Sequence, residues 1–66
     1  MDFMEKAKVR MDHWIVHNEQ HQQEYENFLK DLENANCHES ARHMREMIEL
    51  TTRSTGSLKK ALESLG

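Results

Sequence analysis

Apolar residues recur along the first half of the chain at Met4, Ala7, Met11 and Trp14, and again at Tyr25, Phe28, Leu32 and Ala35. These positions occupy a and d of one unbroken heptad, and Asn18 and His21 fill the gap between the two groups in phase. The second half repeats the design. Cys37, Ala41, Met44 and Ile48 lead into a polar pair, Thr51 and Thr55, followed by Leu58, Leu62 and Leu65. Nothing alternates with the period of a strand, and the spacing predicts two long helices.

Between the repeats lies ENANCHES, residues 33–40. Asn34 and Asn36 are residue types that tolerate the left-handed conformation closing a helix. Glu39 and Ser40 suit the first turn of another. The expected layout is a single domain over residues 1–66, with a helix over about 2–34, a turn at about 35–38 and a helix over about 39–64. So short a turn makes the helices antiparallel. Folding the chain there sets Leu32 against Ala41, Phe28 against Met44, Tyr25 against Ile48 and Trp14 against Leu58. The polar interruptions meet each other, His21 with Thr51 and Asn18 with Thr55. The fold expected is an all-α hairpin roughly 45 Å long, at about 1.5 Å per residue.

One seam leaves apolar residues over. Ile15 and Leu29 fall at e, Phe3 at g, and Met47 and Ala61 at g of the second helix. On this register they stay wet in a lone hairpin. A second copy would cover them, so a four-helix bundle built as a homodimer is expected, with Ile15, Leu29, Met47 and Ala61 at its interface.

Composition narrows the partners. The chain has 66 residues, a net charge of −3, no proline and two glycines. Residues 1–36 carry four Lys/Arg against eight Asp/Glu, and residues 37–66 carry five against four. There is no basic face for a duplex, so no nucleic-acid partner is expected. No apolar run is long enough to span a bilayer, so no membrane partner is expected either. A single cysteine, Cys37, makes no internal bridge and suggests a reducing, cytoplasmic setting.

The candidate chemistry lies in HWIVHNEQH, residues 13–21. His13, His17 and His21 stand four apart, so neighbouring rings share one side of a helix. The register puts His21 in the seam, His17 on its flank and His13 in solvent. The simpler reading is a polar layer of Asn18, His21, Thr51 and Thr55 that fixes register, with His21 buried and held by Thr51 or by a neighbouring polar group. The rival is a zinc, nickel or copper site using His17 and His21, with Glu24 as a third ligand. No seam carboxylate supplies a di-iron set. Cys37 and His38 are adjacent but lack a third group to orient them as nucleophile and base. Neither catalysis nor an obligatory cofactor is therefore expected.

Through DHWIVHNEQH and EYENFLKDLENA the chain resembles short, uncharacterised helical-hairpin proteins of bacteria and archaea. Their recurrent motif is His-Trp-x-x-His-Asn-x-x-His, matched by His13, Trp14, His17, Asn18 and His21. The chain departs at the turn, with Ala35, Asn36 and Cys37 in place of Ala-Gly-Leu. The resemblance implies the hairpin and carries no activity. The expected function is a non-enzymatic, homo-oligomeric binding or assembly module, with a small transition-metal-binding protein as the alternative.

Overall fold

A computed structural model describes residues 2–66; Met1, which opens the expected domain, lies outside the described residues. Asp2 caps the first helix. Its backbone is extended and its carboxylate accepts the amide of Glu5 at 2.9 Å, satisfying one of the donors that a helix start leaves free. Helix α1 then runs over Phe3–Asn34 and helix α2 over His38–Glu63. They form the antiparallel all-α hairpin that the heptads predict, 51 × 16 × 11 Å along its principal axes.

The turn is a Schellman closure with asparagine where glycine is usual. Asn36 has φ of 60° and donates its amide to the carbonyl of Glu33 at 3.1 Å, while the Cys37 amide reaches the carbonyl of Leu32 at 2.9 Å. Both bonds use carbonyls that the end of α1 would otherwise leave unpaired. Cys37 is the N-cap of α2 and makes no side-chain cap bond. Its carbonyl accepts the Ala41 amide at 2.9 Å, and Glu39 supplies negative charge to the first turn.

Packing between the helices follows the heptad of α2 but shifts the one expected for α1. On α2, Ala41 and Thr55 are buried, with Met44, Met47, Ile48, Thr51, Gly56, Leu58 and Leu62 partly covered. On α1 Ile15 is buried, and Ala7, Met11, His21, Gln22, Tyr25, Leu29 and Leu32 are partly covered. The a positions hold their place except Met4 and Asn18, which are exposed. At two levels the e residue is covered in place of its d neighbour, Ile15 for Trp14 and Leu29 for Phe28. Ile15 is only 7% exposed within the single chain, whereas Trp14 is 46% and Phe28 is 53% exposed. The expectation that Ile15, Leu29 and Met47 stay wet in a lone hairpin, and that Trp14 and Phe28 fill its seam, is therefore corrected.

Size explains the choice. The facing residues of α2 include Ala41, Thr51 and Thr55, small side chains that bring the helices close. The shorter aliphatic branches of Ile15 and Leu29 suit that gap, and the rings of their neighbours are turned onto the flank.

The weakest point of α2 is Gly56, in its interior. A Cβ built there meets nothing within 4 Å. Gly56→Ala should therefore stabilise the protein by about 1 kcal/mol through helix propensity alone. Urea denaturation checks this, and a neutral or negative result would mean that the glycine serves a contact the single chain lacks.

Candidate functional site

The polar layer in the middle of the hairpin is built around a residue that the heptad reading passed over. Gln22 reaches across the seam. Its amide nitrogen donates to Thr52 Oγ1 at 2.7 Å, and its amide oxygen accepts from Thr51 Oγ1 at 2.7 Å. The hydroxyls of Thr51 and Thr52 also lie 2.9 and 2.8 Å from the carbonyl of Ile48. Thr55, one turn on, is 9% exposed. All four residues expected in this layer, Asn18, His21, Thr51 and Thr55, line one notch, but the hydrogen bonds that cross the seam there run through Gln22. The signal for Gln22 was its spacing of seven from Ile15 and Leu29, which fixes the column that faces α2.

His21 is half exposed, contrary to the expectation of burial. It bonds along its own helix and not to Thr51, with Nδ1 3.3 Å from Glu24 Oε2. An ionised carboxylate only accepts, so this contact places the proton on Nδ1 and leaves Nε2 free. Glu24, expected as a third ligand, lies against Nδ1 of His21 from one turn further along the same helix. The imidazoles form a column down α1. His13 and His17 have ring centroids 5.9 Å apart, His17 and His21 4.6 Å, and His21 stacks on Tyr25 at 6.1 Å. Among the described residues of one chain, no three His, Cys, Asp or Glu side chains converge to hold a metal ion.

The two edges of the hairpin differ in chemistry. On one, Glu33 pairs with Arg45 at 2.9 Å and Glu19 with Lys59 at 3.0 Å, each bridging α1 to α2. These pairs lie two heptads apart in the same columns and close that edge with charge. The opposite edge carries the d column of α1, namely Ala7, Trp14, His21 and Phe28, beside Met47, Ser54 and Ala61 of α2. None of the ion pairs crosses it among the described residues.

A hollow of about 340 Å³ at its open end is lined by Phe3, Ala7, Met11 and Trp14, together with the stems of Lys6 and Arg10. A second, of about 170 Å³, is a polar notch lined by Asn18, His21, Tyr25, Thr51, Ser54 and Thr55. Of the residues expected at an interface, Met47 and Ala61 lie along this open edge, and Ile15 and Leu29 do not.

No helix among the described residues is long and apolar enough to cross a membrane. The family model described as Domain of unknown function (DUF8180) matches residues 7–65, and the chain belongs to that family. No curated protein and no solved structure matches it.

Proposed function

We propose that this DUF8180 domain is a non-enzymatic assembly module that works as a homodimeric four-helix bundle, closed through the edge that carries Trp14, His21 and Phe28. The observation that carries the reading is the width of the apolar stripe on α1. It spans three heptad columns, as on a helix packed inside a bundle, while the hairpin covers only two. The third holds two large aromatic side chains about half in water.

Area supports a second copy as the occupant. A compact monomer of this mass would expose ~4,400 Å², and the chain exposes 5157 Å². The excess is close to the ~800 Å² that each partner gives to a standard interface. The ion-paired edge stays outward in such a bundle. The reading includes a cytoplasmic setting, which the exposed free thiol of Cys37 suits, and no nucleic-acid partner, which the net charge of −3 suits.

Sedimentation equilibrium of the untagged chain tests it directly. The expected mass is twice the 7.9 kDa chain, falling toward one chain on dilution. A chain-mass species at all concentrations would end the proposal.

A further inference from the structure

We infer that the dimer holds a transition-metal ion on its two-fold axis, bound by His17 and His21 of one chain and the same two residues of its partner. The inference rests on the assembly reading, because neither chain has more than half of the site.

The order of residues along the open edge places the axis. On α1 the d column reads Ala7, Trp14, His21, Phe28, Ala35, nearly its own reverse about His21. On α2 the matching column reads Met47, Ser54, Ala61 about Ser54. His21 and Ser54 line the same notch. A two-fold perpendicular to the helices at that level lays α1 antiparallel to its copy, aromatic against aromatic. The rim column agrees, since Arg10 at one end then faces Asp31 at the other end of the partner. A two-fold along the bundle would instead face those charges with Ser40, Met47, Ser54 and Ala61, none of which answers them.

An axis at the level of His21 lies two residues, about 3 Å along the helix, from the midpoint of the pair His17 and His21. Two imidazoles on one tetrahedral zinc, with bonds of about 2.0–2.1 Å, have ring centroids roughly 5 Å apart. The observed 4.6 Å needs little adjustment. Glu24 behind Nδ1 of His21 is the arrangement that holds a ligating imidazole in the right tautomer, with Nε2 presented to the metal. Two such pairs complete four nitrogen ligands. The notch also puts a polar patch in the centre of an otherwise apolar edge, where a dry interface would be costly without an occupant. His13 lies on the outward side of α1, and His43 on α2 pairs with Glu46 at 3.5 Å, so neither takes part.

The test uses tag-free protein with Zn²⁺ and Co²⁺ alone as probes. Calorimetric titration should give one zinc per two chains, and cobalt should give the intense visible bands of a tetrahedral site. His17→Ala and His21→Ala should each abolish binding, His13→Ala should leave it unchanged, and Glu24→Gln should weaken it about tenfold or more. The visible cobalt spectrum of the unaltered protein stands apart from any folding defect in the variants. A dimer that binds no zinc, binds one per chain, or gives only pale six-coordinate cobalt would overturn the site and leave the assembly standing. A monomer with and without metal would overturn both.

Discussion

Replacing Ile15 with alanine should cost about 2–4 kcal/mol of stability, the largest single loss expected anywhere on α1. At 7% exposure it is the one large aliphatic side chain the hairpin encloses. Deleting its branches opens a gap against α2 that two straight helices cannot collapse to fill. For a chain of this length total stability is only about 3–10 kcal/mol, so the variant should be partly unfolded at room temperature. Val16, the next residue, is 48% exposed and faces away from α2, and Val16→Ala should stay within about 0.5 kcal/mol of the parent. Urea midpoints of the two variants decide the matter. Equal costs would mean that α1 does not pack along the Ile15 column.

The second large effect concerns assembly. Changing Trp14 and Phe28 together to glutamate should dissociate the dimer while leaving much of the helix content. Each aromatic is already about half exposed in the single chain, so its remaining burial is worth about 1 kcal/mol, half of a full aromatic burial. Four such side chains per dimer then weaken association on the order of a thousandfold. Breaking the opposite edge with Glu19→Ala and Lys59→Ala should leave the mass unchanged, because an exposed ion pair contributes roughly 0–1 kcal/mol. Sedimentation velocity across a dilution series distinguishes the edges. If the glutamate variant kept its mass and the alanine variant lost it, the interface would lie on the charged side.

The contrast between these two variants marks how far the sequence could be read. The helices, their antiparallel order and the column of α2 follow from periodicity, because Ala41, Met44 and Leu58 each stand between polar neighbours and fix the phase. The turn was legible for a similar reason, since Asn36 is a residue type that accepts positive φ.

On α1 the signal is degenerate. Trp14 adjoins Ile15 and Phe28 adjoins Leu29, so two columns fit the same heptad, one on each side of a. Periodicity reports that large apolar residues stand in all three columns. It does not say which two meet inside a chain and which is left for a neighbour, because hydrophobic burial carries no address. Steric fit against Ala41, Thr51 and Thr55 makes that choice. The histidines inherited the same ambiguity. Once the seam rotates by one column, His21 moves from the interior to the edge, and Gln22 takes its place across from Thr51.

The three-residue turn also sets the route by which the chain acquires its shape. Glu33 and Arg45 are 12 residues apart in sequence, and Glu19 and Lys59 are 40 apart. Once the turn has formed, each layer is brought into register by the one before it, so little additional loop entropy is spent as contacts reach further along the chain. Ordering should run outward from Asn36 like a zipper, on the fast timescale typical of low contact order. The far end, which holds the start of α1 and the last turn of α2, would close last and open first under stress. Amide exchange should then rise steadily from the turn toward both termini, with no single cooperative block.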